Sequence, residues 1–246
     1  YVTVNTLIYD REMKEAVSFC ADLFRMGVDA IITADLGPIS LVRKFVPGME
    51  IHASTQMSLH NVAGVNEAVR LGVTRAVVAR ETSFDDIRAI VDGSDAEIEV
   101  FLHGALCVCH SGQCLFSSMV GGRSGNRGEC AQPCRLPYNG KDSYPLSLRD
   151  LSLADHVRQL ISSGAASLKI EGRMKSAYYT AVTANAYRMA LDAYARDPEH
   201  YAFDPTWLRE LESVSHREYC TGFYYDSPLS EPQLVSSPGY LRDKAY

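Results

Sequence analysis

The regular alternation of strand-like and helix-like segments constrains this chain most. Runs of β-branched and aliphatic residues at 2–7, 30–33, 50–54, 75–79 and 98–102 start about 20–28 residues apart, the spacing of βα units. Between them, apolar residues recur three and four positions apart. Met13, Ala16, Val17, Cys20 and Phe24 form one such stripe, and Val62, Val65 and Val69 another. Pro38 reads as the first residue of a helix over 38–45, where a missing N–H costs nothing. Ser83, with Asp86 three residues on, reads as the cap of a helix over 83–91. A helix at 153–161, a sixth strand at 167–170 and a long helix from 177 to about 195 complete the pattern.

Strands joined by helical crossovers imply a parallel sheet. No glycine-rich dinucleotide fingerprint follows any strand, which disfavours an open doubly wound sheet. The expected fold is α/β, a TIM-barrel-like (β/α)8 parallel barrel with a Cys-rich insertion. Six units fall short of eight and Tyr1 opens directly into a strand, so the expectation is a barrel without its first two βα units. The barrel domain is expected over residues 1–200, with the insertion at 104–150, and residues 201–246 as an extension packed on it.

A 246-residue chain that is 46% hydrophobic and 22% charged has ample material for a core. Its net charge of -6 argues against a broad nucleic-acid surface and leaves room only for a local basic patch. No apolar run approaches the roughly 18–20 residues needed to span a bilayer. An odd cysteine count without a secretory signal favours a reducing, cytoplasmic setting and no membrane contact.

Five of the seven cysteines lie between Cys107 and Cys134, among glycine, arginine and polar residues. Structural cysteines are usually scattered along apolar faces, as Cys20 is, so this density points to a soft-metal site. The candidate ligands are Cys107, Cys114, Cys130 and Cys134. Cys109 is set aside for want of a paired knuckle, and Cys220 is held as a substitute ligand. Zinc is the alternative metal. Zinc knuckles place two cysteines two to four residues apart, which Cys130 and Cys134 satisfy and Cys107 and Cys114 do not. Irregular spacing suits a 4Fe-4S cluster better. Between these cysteines, Gly121 to Gly128 carries Arg123 and Arg127, and Arg135 follows Cys134. Such arginines suit cluster charge or phosphate, against the alternative of a solvated loop.

In a barrel the chemistry sits where strands end. The strand ends here are polar: Asn5, Asp35, Thr55, Gln56, Arg80, Glu81, His103, Lys169, Glu171 and Arg173. Period-two alternation puts Lys169 and Glu171 on one face and Leu168 and Ile170 on the other. Arg80, Lys169 and Arg173 together suit an anionic substrate or cofactor, a carboxylate above all. Solvated rim ion pairs are the competing reading.

Val100 to Cys107, Ser111 to Ser117, Gly122 to Gly128 and Cys130 to Arg135 closely resemble the signature of the peptidase U32 family, the collagenase-like proteases. Leu168 to Met174 and Ser215 to Tyr219 resemble two further blocks of that family. The resemblance implies a TIM-barrel-like domain and two activities. One is proteolysis; the other is hydroxylation of tRNA, ribosomal RNA or ubiquinone precursors, with an iron–sulfur cluster and, for RNA, prephenate. The motif cysteines map to Cys107, Cys114, Cys130 and Cys134, although some members take a ligand from further along the chain, as Cys220 would be.

Oxygen insertion into RNA or another aromatic substrate is the favoured reading, with His103, Glu171 and Arg173 as catalytic candidates. Arg80, Lys169, Arg173, Arg123 and Arg127 are the candidates for holding the cofactor or RNA phosphates. A peptidase acting on a peptide substrate is the alternative, yet Cys107 with His103 or His110, or Ser117, shows no triad or nucleophile elbow. A non-catalytic cluster-binding subunit, presenting Tyr219, Phe223, Tyr224 and Tyr225 to a partner, is the third reading.

Overall fold

The computed structural model describes residues 1–138, 140 and 143–225. These form a mixed α/β fold whose strands are mostly parallel, with eight strands and eight α-helices among the described residues. The chain divides into two compact units: Tyr1–Val100 with Cys109–Pro133, and Phe101–Val108 with the chain from Cys134 onward.

The first unit holds β1 (Val2–Val4), α1 (Asp10–Arg25), β2 (Ala30–Thr33), α2 (Leu36–Phe45), β3 (Glu50–Ala53), α3 (Val62–Arg70), β4 (Arg75–Val77), α4 (Phe84–Gly93) and the start of β5 (Glu97–Ala105). The strands pair in chain order and in parallel, with Val2 opposite Ile31, Ile31 opposite Ile51, Ala53 opposite Ala76 and Ala76 opposite Ile98. Ala30, Ile31, Ile51, Ala76 and Ile98 are buried, as strands covered on both faces require. The three βα steps that follow β2, β3 and β4 are each closed by a polar cap. Asp35 accepts the Gly37 N–H at 2.9 Å, Asn61 the Gly64 N–H at 2.8 Å and Ser83 the Asp86 N–H at 3.1 Å.

Asp35 starts α2 at Leu36, so Pro38 is its third residue, not its first. On α1 the expected stripe holds as far as Cys20 but ends on buried Leu23, since Phe24 is 45% exposed.

The second unit holds the rest of β5, β6 (Asp150–Ser152), α6 (Val157–Ser162), β7 (Ser167–Ile170), α7 (Ala177–Arg196), α8 (Pro205–Ser213) and β8 (Tyr219–Cys220). Here the all-parallel expectation needs correction. β6 runs antiparallel to β5, with His103 opposite Ser152 and Ala105 opposite Asp150. The chain leaves the end of β5, makes its Cys-rich excursion and returns along the same strand, so no crossover helix reverses its direction. β8 pairs in parallel with β6, and β7 pairs with β5. The helix expected from 153 begins at Val157, because β6 and a following 3-10 turn take the residues before it.

α8 buries Trp207 and Leu211, and α7 buries Tyr179, Ala186, Tyr187 and Ala190. Further on, Phe223 and Tyr224 are buried, and the Tyr224 hydroxyl donates to the Phe101 carbonyl. Only Tyr225, 50% exposed, fits the partner-facing role considered for these aromatics. Residues 226–246 of the C-terminal extension lie outside the described residues, as do 139, 141 and 142 of the insertion.

Candidate functional site

In the first unit, the insertion is seated on the carboxyl ends of the parallel strands. Ser111 is its anchor. Its hydroxyl accepts the Arg80 N–H at 3.1 Å, and its N–H donates to Glu81 Oε1 at 3.1 Å. Its carbonyl accepts the Ser58 hydroxyl, whose oxygen in turn accepts from Gln113 at 3.1 Å. Asn126 donates to the Gly112 carbonyl at 3.2 Å. Gly112 lies so close that a Cβ there would sit 2.3 Å from the Gln56 carbonyl oxygen, and its φ of +78° independently favours glycine. Arg127 reaches the Leu7 carbonyl at 3.4 Å and lies 3.8 Å from Glu12, while Arg123 donates to the Glu129 carbonyl at 2.9 Å. Both arginines are exposed. The polar ends of β1, β3 and β4 thus hold the loop that carries Cys109, Cys114 and Cys130.

In the second unit, His103 on β5 is only 1% exposed and ringed by aromatics: Tyr219, Tyr187 and Tyr179 have centroids 5.3, 5.5 and 6.0 Å away. The Tyr187 hydroxyl accepts the Leu153 N–H at 3.0 Å and donates to the Leu102 carbonyl at 3.1 Å. It also lies 3.2 Å from His103 Nδ1. Nε2 is buried and has no hydrogen-bond partner among the described residues. Desolvation pushes the His103 pKa down to about 3, so the ring is neutral.

Beside it, Asp150 on β6 accepts from the Arg217 backbone N–H and from its guanidinium, each at 3.1 Å, with both side chains at least 97% buried. Arg135 is a second, half-buried cation. It donates to the Leu148 carbonyl at 2.6 Å, to Ser147 Oγ at 3.3 Å and to the Leu106 carbonyl. Burial first, and then Arg217, push its pKa below the usual guanidinium range; Cys134, Asp150 and Cys107 pull it back.

No disulfide joins any of the seven cysteines. Cys20 is fully buried in the core of the first unit, where desolvation raises its pKa, as expected of a packing residue. Cys107 is exposed and Cys114, Cys130 and Cys134 are half-buried, the environment of reactive thiols. Cys130 Sγ already accepts the Gln132 N–H at 3.3 Å. Cys107 and Cys134 belong to the second unit with Cys220, and Cys114 and Cys130 to the first. Among the described residues, no three His, Cys, Asp or Glu side chains are gathered as a ready-made ion site. By type and exposure these cysteines are donors of the kind an iron–sulfur group would take.

β7 does not show the two-faced burial expected of it, since all four of its residues are half-buried. Lys169 lies over the Phe101 ring at 5.6 Å, and Arg173 is exposed. Glu171 donates its N–H to the His103 carbonyl at 2.8 Å and accepts the Arg173 N–H at 3.3 Å. His103, Glu171 and Arg173 are thus joined through the backbone. The Asp150–Arg217 pair and Tyr187 escaped sequence reasoning. Asp150 follows a loop without periodicity, and only the block around Arg217 drew notice.

The family model described as peptidase family U32 matches residues 1–233. The chain belongs to this family. Among its U32 relatives, "tRNA hydroxylation protein P1" of Bacillus subtilis (strain 168) is 37% identical over 95% of this chain and 59% of its own length. The "23S rRNA 5-hydroxycytidine C2501 synthase" of Escherichia coli (strain K12) is 44% identical over 78% of this chain and 30% of its own length. The "Collagenase" of Porphyromonas gingivalis (strain ATCC BAA-308 / W83) is 30% identical over the whole chain and 64% of its own length. This chain therefore spans about 59% and 30% of the first two relatives.

Proposed function

We propose that this U32 chain is part of an enzyme that supports iron–sulfur-dependent hydroxylation of RNA, tRNA or rRNA. The single observation that carries the reading is its identity to the two RNA-hydroxylation relatives over most of its length. The accessibility of Cys107 and Cys134 beside the Arg135 guanidinium supports it. Cys107, Cys114 and Cys130 would hold the cluster, with Cys134 or Cys220 as the fourth ligand. Such a cluster supplies one-electron redox chemistry. The protein's own part is to bind and orient. His103 presents a neutral imidazole, Lys169 and Arg173 of the second unit or Arg80 of the first would offer charge to a carboxylate such as prephenate, and Arg123 and Arg127 would meet RNA phosphates. The five parallel strands β1 to β5 support a (β/α) barrel as the scaffold, in a cytoplasmic protein. No helix among the described residues is long and apolar enough to cross a membrane.

A relative described as "Collagenase", 30% identical over the whole of this chain, keeps the peptidase reading as the second choice. Ser117 is buried and its oxygen accepts the Ala131 N–H, a poor setting for a nucleophile.

The test is anaerobic isolation of the full-length protein followed by metal analysis and nucleoside mass spectrometry. Brown protein with about four iron atoms per chain is expected. In cells lacking the gene, the wild type should restore a nucleoside bearing one added oxygen and Cys114→Ala should not. Colourless protein with stoichiometric zinc, or gelatin cleavage that needs Cys107 but no iron, would reverse the conclusion.

A further inference from the structure

Arg135 stands at a junction of three chain segments in the second unit. It directly follows Cys134, and one of its terminal nitrogens donates to the carbonyl of Leu106, the residue directly before Cys107. The other donates to the Leu148 carbonyl at 2.6 Å and Ser147 Oγ at 3.3 Å, just ahead of β6. β6 carries Asp150, whose carboxylate holds both the backbone and side chain of Arg217, and β6 pairs with Cys220 opposite Leu151. A planar guanidinium can serve two carbonyls in fixed directions at once; an ammonium on a flexible stem holds neither direction. The Cys134 segment is a single 3-10 turn, Pro133–Arg135, with Pro133 buried.

We propose that Arg135 is a positioning residue whose guanidinium fork clamps the Cys134 turn to the end of β5, holding Cys107 and Cys134 at a fixed separation for one metal centre. The metal part rests on the iron–sulfur reading above, whereas the clamp itself concerns the apoprotein. The fork, and not the charge, does the positioning, so lysine is an inadequate replacement. Arg135 touches neither substrate nor reacting atoms; it acts through the backbone of the two cysteine segments.

The experiment compares wild type, Arg135→Lys, Arg135→Gln and Ser147→Ala in the full-length protein. The apoprotein is treated with dibromobimane, a short thiol-to-thiol crosslinker, and the Cys107–Cys134 product is quantified by peptide mapping. Iron release to EDTA is then timed after anaerobic reconstitution with iron and sulfide. Both Arg135 variants are expected to lose most of the crosslink and release iron at least about tenfold faster, a stability change of about 1.4 kcal/mol if rate tracks affinity. Ser147→Ala, which removes only the longest contact, should shift both readouts slightly in the same direction and covers the case in which an Arg135 variant does not fold. Wild-type crosslinking and release in Arg135→Lys would overturn the proposal. An unchanged crosslink in both Arg135 variants of a protein that does bind iron would overturn it too. A strong wild-type crosslink, lost in both Arg135 variants, in a protein that never takes up iron would uphold the clamp and sink the metal reading alone.

Discussion

Burial holds the His103 imidazole neutral far below its ordinary pKa, with Lys175 and His216 adding to the desolvation and Asp150 opposing it. The consequence for stability has a definite sign. Between the ordinary value of 6.5 and the folded value of about 3, the unfolded chain takes up a proton at this position and the folded chain does not. Stability therefore falls as pH drops through that window, by about 1.4 kcal/mol per pH unit from this residue. Urea unfolding at pH 7 and pH 5 should show wild type losing about 2 kcal/mol more than His103→Gln over that interval. Equal losses in the two proteins would show that another group governs the acid limb. Nearby, the Asp150–Arg217 pair is a second residue-scale commitment, since removing one partner leaves the other charge buried without compensation.

Two close approaches govern the element scale. Gly104 lies on β5 with φ at +113°, and a Cβ there would sit 2.4 Å from the Glu171 carbonyl oxygen. Gly104→Ala should therefore push the chain after β7 off β5 and break the Glu171-to-His103 hydrogen bond of 2.8 Å. A loss of about 2–4 kcal/mol is expected, combining backbone strain with steric displacement. Hydrogen exchange would locate it: Glu171 should lose protection while the amides of β2 and β3 keep theirs. Protection lost evenly across the chain would refute a local cause. Gly112 plays the matching part in the first unit, where the insertion meets the turn after β3. Both glycines followed from no periodic pattern, because the need for them comes from a second segment far away in sequence.

At the scale of the whole molecule, a net charge of -6 and only two exposed arginines on the Gly121–Gly128 loop limit how the proposed RNA substrate could be held. Two phosphate contacts to single-stranded RNA give a salt dependence of about -1.4 in log K against log salt. Fluorescence anisotropy with a labelled tRNA should return a slope near that value, and Arg123→Gln should lower its magnitude by about 0.7. A slope of about -5 or steeper would mean a broad basic face that the described residues do not supply.

The βα order of the first hundred residues was readable in the sequence because it depends on local period and capping. Asp35, Asn61 and Ser83 sit where their own side chains can reach the next turn. Cys20 was readable as core for the same reason, and the five cysteines between Cys107 and Cys134 stood out by density alone. Other features needed the folded chain. The reversal of β6, the seat of the insertion on Ser111, the ring around His103 and the fork of Arg135 all join residues tens of positions apart. Such contacts leave no periodic trace, since each depends on a partner whose position is set only when the strands between them have paired.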